Sequence, residues 1–382
     1  MERYADPRDA FDLATGQVHL NHGSFGAVPM HVTARQDEIV REQRRNFHEF
    51  YDRALFGLLE ESRLAVADWL GVAREGFVFS PNATTALATA LSCLDLGPGD
   101  EVVTTSVEYP STYANLRRRC RETGTELVVV DVEGLDDAAL VDRILASVSP
   151  ATAAVVVSAV TSPWATLLPV RALHDALSDV RAVLVVDGAH VPGLVEVDLA
   201  AMDTAFFCTT LHKWACFPRG TGGLYVPASH RERARPLVDA LFAGSAVMTE
   251  RFAWSGTADH SGVLVARQVL DVHATAAKSG WSEAAEAVAD HARKRVEEAW
   301  PEAVPVSDPR VRRMCTWRLP RVDETELATF LRERGVWTWL GRPGGHAHLR
   351  LSAAWYNTDD DVERLVDLLR RFRAARHPSY CP

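Results

Sequence analysis

The run Val183-Leu184-Val185-Val186 ends abruptly in Asp187-Gly188, and no other segment restricts the possible folds as strongly. A strand with no polar side must be covered on both faces, the condition of a parallel sheet flanked by helices. The surrounding sequence keeps that rhythm. Periodicity predicts helix 84–94, strand 101–106, helix 111–122, strand 127–131, helix 136–146, strand 153–160 and helix 170–177 before strand 183–187. Strands at 205–208 and 223–226 follow it. Upstream, Ile39, Val40, Phe47, Phe50, Leu55, Leu58 and Leu59 recur at helical spacing between Val32 and Leu70. These patterns describe a mostly parallel, doubly wound α/β core.

A helical stretch at 261–277 leads through Pro301, Pro305 and Pro309 into a different pattern: strand 313–319, helix 325–334, strands 336–340 and 349–352, and helix 359–373. The expected organisation is an N-terminal segment 1–30 that contributes to the site, a large α/β domain 31–270 and a small α+β domain 271–382. A length of 382 residues is ample for that arrangement.

Against 41 Lys+Arg stand 51 Asp+Glu, a formal charge of -10, which disfavours nucleic acid and anionic membranes as partners. No run approaches the ~18 apolar residues of a membrane span. The charged opening Met1-Glu2-Arg3 lacks the apolar core of a secretory signal. The six cysteines (Cys93, Cys120, Cys208, Cys216, Cys315, Cys381) are scattered without a CxxC pair, as free thiols in a reducing compartment would be. A cytoplasmic enzyme acting on a small molecule is the expectation.

In open parallel sheets, ligands bind beyond the carboxyl ends of the strands. Asp187, directly after four apolar residues, is either a desolvated functional carboxylate or a cap for the next turn. Lys213, in Thr210-Leu211-His212-Lys213-Trp214, is either a desolvated amine able to form a Schiff base or a snorkelling surface lysine. Ser80-Pro81-Asn82-Ala83-Thr84-Thr85 opens a helix whose first turn suits either a phosphate or an ordinary N-cap. Together the three segments supply an imine-forming lysine, a carboxylate for a pyridinium nitrogen and a phosphate cradle, the needs of pyridoxal phosphate.

The order Asp187-Gly188-Ala189-His190, then Thr210-Leu211-His212-Lys213, resembles the class V aminotransferase family of fold-type I pyridoxal-phosphate enzymes. Leu20-Asn21-His22-Gly23-Ser24-Phe25-Gly26, Asn82-Ala83-Thr84-Thr85 and Trp254-Ser255-Gly256-Thr257 are similar to its isopenicillin N epimerase-like branch, which holds epimerases and C–S lyases of sulfur and antibiotic metabolism. The resemblance implies a mostly parallel seven-stranded sheet with a smaller C-terminal domain, an amino-acid substrate and a homodimer with shared sites. It implies Lys213 as the Schiff-base lysine and Asp187 as partner of the pyridine nitrogen, with His190 at the phenolic oxygen. Tyr109 would lie over the ring, with a catalytic role. Asn82, Ala83, Thr84, Ser162, Thr210 and His212 would also hold the cofactor, and Thr257 would be lent by the other subunit. Arg350 would grip the substrate carboxylate, with Asn21, His22 and Ser24 beside the substrate.

Two departures from the family pattern matter. Thr161-Ser162-Pro163-Trp164 stands where many members carry Asn. The stretch 341–348 contains no cysteine, which argues against a desulfurase. His346 and His348 form an HxH pair near Arg350 without further recognisable ligands, so no metal is expected. The dinucleotide reading of Gly220-Thr221-Gly222-Gly223 fails because these glycines precede a strand. The resemblance leads to a C–S lyase working by β-elimination from an S-substituted cysteine. Epimerisation and decarboxylation-dependent oxidative deamination are the alternatives on the same fold, and a non-catalytic cofactor-binding homologue is the competing class. Tyr109 and His22 are the candidate acids opposite Lys213.

Overall fold

A computed structural model of the chain describes residues 6–376. Cys381 and the opening residues 1–5 therefore lie outside the described residues. Contacts divide the chain into two compact units, one of Val32–Thr161 and Leu168–Asp271, the other of residues up to His31, Ser162–Leu167 and those from Val272 onward.

The first unit holds a seven-stranded sheet: β1 (Phe77–Ser80), β2 (Glu101–Thr105), β3 (Glu126–Val130), β4 (Thr152–Ser158), β5 (Val183–Asp187), β6 (Phe206–Thr210) and β7 (Gly222–Tyr225). Their spatial order is β1-β7-β6-β5-β4-β2-β3. β7 runs antiparallel to both neighbours, and the remaining pairs are parallel. Every residue of β4 is buried, as an apolar strand covered on both faces requires. Helix Ala83–Cys93 packs Ala86, Leu87, Ala90 and Leu91 into the core with Val102, Leu116, Val156, Val185 and Phe206. The expected mostly parallel seven-stranded α/β sheet is present, and six of its strands, β2 to β7, fall within a few residues of the sequence reading.

β1 was not legible in the sequence. Phe77-Val78-Phe79-Ser80 is four residues long and carries no β-branched run, and it enters the sheet through antiparallel pairing with β7. That pairing depends on close approach. A Cβ on Gly223 would meet the Phe77 ring at 2.4 Å, and one on Gly222 would meet the Thr209 carbonyl oxygen at 2.6 Å and Asn82 Cα at 2.8 Å. The glycines read as a failed dinucleotide loop thus let the start of helix Ala83–Cys93 sit against the end of β6.

The second unit is built on an antiparallel sheet of β8 (Val304–Pro305), β9 (Met314–Leu319), β10 (Trp339–Gly341) and β11 (Ala347–Ser352), in the order β10-β11-β9-β8. Helices Trp281–Ala299 and Asp359–Arg376 accompany it, and Val288, Val296, Trp317, Leu349, Leu365 and Phe372 share its core. The strand expected at 336–340 is two pieces. Val336–Trp337 pairs in parallel with Val18–His19, while β10 pairs with β11. This split draws the N-terminal segment into the unit: the Ser352 N–H donates to the Leu20 carbonyl (2.8 Å), and Asn21 bridges to Ser352.

Candidate functional site

In the first unit, the expected residues gather at the carboxyl ends of β5 and β6. Asp187 closes β5 opposite Cys208, and the Gly188 N–H donates to the Cys208 carbonyl (2.7 Å). The Asp187 carboxylate is buried, accepting from the Thr112 hydroxyl (3.0 Å) and the Ala189 N–H (3.1 Å). Burial raises its pKa, against the pull of the Ala189 N–H, Lys213 and Thr112. Lys213 lies in the turn after β6 with Nζ 3.2 Å from His190 Nε2, and the Trp214 indole donates to His190 Nδ1 at 3.2 Å. Cys216, three residues on, has φ 61°, a strained left-handed conformation for a residue with a side chain, and its N–H donates to the Lys213 carbonyl (3.0 Å).

The helix start lies at the same sheet end. Asn82 Oδ1 caps the helix by accepting from the Thr85 N–H (2.9 Å), and the Ala83 N–H donates to Thr210 Oγ1 (3.1 Å). Asn82 and Ala83 therefore serve the helix and its anchor to β6, whereas Thr84 is exposed at the helix start, where backbone N–H groups lack intrahelical partners. His212 Nδ1 lies 3.0 Å from the Thr221 carbonyl, and burial lowers its pKa. Tyr109 is 46% exposed at the N-terminal boundary of helix Pro110–Thr123, one turn before Thr112. Thr257 is exposed in the loop after Trp254.

In the second unit, Arg350 is buried at the centre of β11. Its guanidinium donates to the Ser162 carbonyl (2.6 Å) and hydroxyl (3.0 Å), to Asn21 Oδ1 (3.2 Å) and to Ser24 Oγ (3.0 Å), and lies 5.1 Å from the Trp339 ring centroid. Ser24 also donates to Asn21 (2.8 Å). The sequence-expected substrate group Arg350, Asn21 and Ser24 is thus one hydrogen-bonded cluster, and Ser162, expected at the cofactor, belongs to it as well. His22 is buried, with Nδ1 3.1 Å from the Tyr356 hydroxyl. His348 is buried, its Nδ1 2.7 Å from the His346 carbonyl and its ring edge-on to Trp164. Among the described residues, no cluster of His, Cys, Asp or Glu could hold a metal ion.

Three contributors escaped sequence reasoning: Thr112, Trp214 and Glu108. Glu108 is wholly buried, accepting from the Ser158 N–H (3.0 Å) and hydroxyl (2.5 Å) and the Thr105 hydroxyl (2.6 Å). Ser158 is the register partner of Asp187, so two carboxyls sit at neighbouring strand ends. The available signal was a charged residue at Val107-Glu108-Tyr109, just past an apolar strand.

Burial pushes the Glu108 pKa from 4.5 up to about 7, against its hydroxyl and N–H donors, with Asp187 adding to the rise. A raised pKa means the folded chain keeps a proton that the unfolded chain loses. This contribution to stability is full below pH 4.5 and is lost as pH rises to about 7. The shift corresponds to about 3 kcal/mol. Glu108→Gln, isosteric and non-titrating, is expected to flatten the fall in melting temperature across that window. An unchanged slope in thermal melts would show that Glu108 does not titrate there.

The sequence profile of the family described as aminotransferase class-V matches residues 29–365. The chain is 26% identical over 379 residues to the isopenicillin N epimerase of Streptomyces clavuligerus, covering 92% of this chain and 94% of that protein. It is 26% identical to the cysteine desulfurase of Haloferax volcanii (95% and 91% covered) and 25% identical to the hercynylcysteine sulfoxide lyase of Schizosaccharomyces pombe (60% and 58%). A solved structure of the cystine C–S lyase C-DES superposes with TM-score 0.83 at 17% identity, covering 93% of this chain and 98% of that one. Among the described residues, no helix is long and apolar enough to cross a membrane. With its seven-stranded sheet and a profile match across most of its length, the chain belongs to the class V aminotransferase family of fold-type I pyridoxal-phosphate enzymes.

Proposed function

We propose that the chain is a lyase that breaks the C–S bond of an S-substituted cysteine by β-elimination, with Lys213 as its base. The observation that carries this reading is the contact of Lys213 Nζ with His190 Nε2 (3.2 Å), beside a buried Asp187 that Lys213 influences electrostatically.

The residues fit pyridoxal phosphate in chemistry and number. Lys213 offers the amine, Asp187 a carboxylate for the ring nitrogen, His190 a partner for the phenolic oxygen and Tyr109 an accessible aromatic face. Thr84, Thr210 and the helix start offer hydroxyl and N–H donors for the phosphate. When bound, the cofactor supplies an electron sink for charge developing at the substrate Cα.

The chain's own groups do the rest. Lys213 takes the α-proton. Asp187, whose charge is costly in its buried setting, is stabilised by a cationic ring nitrogen. His212 donates Nδ1–H to Thr221, so donation to a phosphate needs a second proton on Nε2, which a nearby dianion favours. Arg350, now held on neutral oxygens of Ser162, Asn21 and Ser24, presents a planar fork suited to a carboxylate. We take the working form to be a cytoplasmic homodimer, in which exposed Thr257 serves the neighbouring subunit.

Elimination needs one base and a thiolate leaving group, and that economy favours it over epimerisation, which needs an acid on the opposite face. The near-full-length match to an epimerase keeps epimerisation as the second reading. Desulfurases are also relatives, so kinship does not exclude persulfide chemistry. The stretch 341–348 lacks cysteine and the five described cysteines are buried, which supports a lyase over a desulfurase. Incubation with cysteine S-conjugates in deuterated buffer, read by mass, separates the three. We expect thiol, pyruvate and ammonia; intact deuterated substrate would mean epimerisation, and alanine with an enzyme-bound persulfide, formed from free cysteine supplied in a parallel reaction, would mean desulfuration.

A further inference from the structure

We infer that Trp214 is a positioning residue that fixes the proton of His190 on Nε2, so that the imidazole presents a donor to the Lys213 nitrogen. The inference rests on the proposed role of Lys213, though its first step is independent of any cofactor.

An indole N–H donates and never accepts. Trp214 Nε1 lies 3.2 Å from His190 Nδ1, so that ring nitrogen is the acceptor. Both side chains are almost wholly enclosed, His190 at 2% exposure and Trp214 at 1%, which leaves solvent little part in the pairing. With Nδ1 accepting, a neutral imidazole carries its one proton on Nε2, the atom 3.2 Å from Lys213 Nζ.

The consequence falls on Lys213. An ammonium has donors only, so it would meet Nε2–H head-on, whereas a neutral amine accepts that proton as a hydrogen bond. Were Nδ1 protonated instead, Nε2 would be bare and would stabilise the ammonium. The Trp214 indole thereby favours the unprotonated lysine nitrogen, the form that attacks a carbonyl and accepts an α-proton. Asp187, whose carboxylate favours the ammonium, and His212, whose protonation disfavours it, also act on this lysine. Trp214 offsets Asp187 without adding charge. The arrangement is compact in sequence, because the residue that sets the tautomer directly follows the lysine it serves.

Trp214→Phe keeps an aromatic ring while removing the N–H together with the five-membered ring that carries it. In the holoprotein labelled with 15N-histidine, long-range 1H–15N spectra at neutral pH should show His190 as the Nε2–H tautomer, its signals identified by their loss in His190→Gln. In the Phe variant, Nδ1–H should appear. The wild-type spectrum decides the matter even if the variant fails to fold: Nδ1–H or a doubly protonated ring there overturns the inference. The second readout is the pH titration of the bound cofactor's visible absorption. The midpoint at which the Lys213 nitrogen gains its proton should rise by about one pH unit in the variant. An unmoved midpoint overturns the consequence for Lys213. A protein with no visible band defeats the cofactor reading instead, and the histidine spectrum still tests the tautomer.

Discussion

Lys213→Ala is expected to abolish borohydride trapping of the cofactor and to lower turnover by on the order of 10^4, the upper range for loss of a positioned base. Two functions end with one side chain, since the amine that attaches the cofactor is also the group proposed to move the α-proton. Lys213→Arg is informative beside it. Arginine keeps a cation near Asp187 but stays protonated and cannot form the attachment, so it should be as inactive as alanine. Burial already pushes the Asp187 pKa up and Lys213 opposes that rise, so in the alanine variant Asp187 should titrate at still higher pH. Circular dichroism should report an intact fold, because Lys213 is only partly buried in a turn outside the sheet. A variant that retained trappable cofactor, or turned over within tenfold of the parent, would remove Lys213 from both roles.

Arg350→Ala is expected to lower kcat/KM for amino-acid substrates by two to three orders of magnitude, mainly through KM; truncating a buried, hydrogen-bonded charge costs about 2–5 kcal/mol. A parallel loss of stability should accompany it. The substitution leaves the Ser162 carbonyl, Asn21 Oδ1 and Ser24 Oγ without the donor they share, and opens a void beside Trp339. The two effects separate with a substrate analogue in which the carboxylate is replaced by an uncharged amide. If Arg350 binds the carboxylate directly, wild type and variant should process the amide about equally poorly. An equal loss on both compounds would assign Arg350 a structural role only. Arg350→Lys should recover little, because the ammonium keeps the charge but loses the planar fork that reaches several oxygens at once.

The two residues differ in how far the sequence alone exposed them. Asp187 and Lys213 follow apolar strands, and that position alone puts them at the ligand-binding edge of such a sheet. Arg350 was reached through resemblance, since His348-Leu349-Arg350-Leu351 reads locally as an ordinary strand. Thr112 and Trp214 leave no mark in the sequence, and Glu108 only that of a charge past an apolar strand, because their importance lies in cross-strand register and in which atom faces which. Glu108 matters only because Ser158 pairs with Asp187. Helix Trp281–Ala299 was missed for a different reason: its buried face includes Ala285, Ala289, Ala292 and Ala299, and small residues give a weak hydrophobic periodicity.

The hydrogen bond between Asn21 and Arg350 spans 329 positions of chain, and Val18–His19 pairs with Val336–Trp337. A ribosome makes the N-terminal partner first, so the nascent chain must carry an unpaired strand edge through nearly the whole of translation. At about 5–20 residues per second that wait is tens of seconds, long for an exposed edge in a crowded cell. The first unit can close its sheet meanwhile, but the second unit cannot begin its β11 contacts until the last tenth of the chain emerges. Truncated or stalled chains therefore present an edge open to foreign pairing, and in vivo yield should depend on chaperone supply more than the stability of the finished protein suggests.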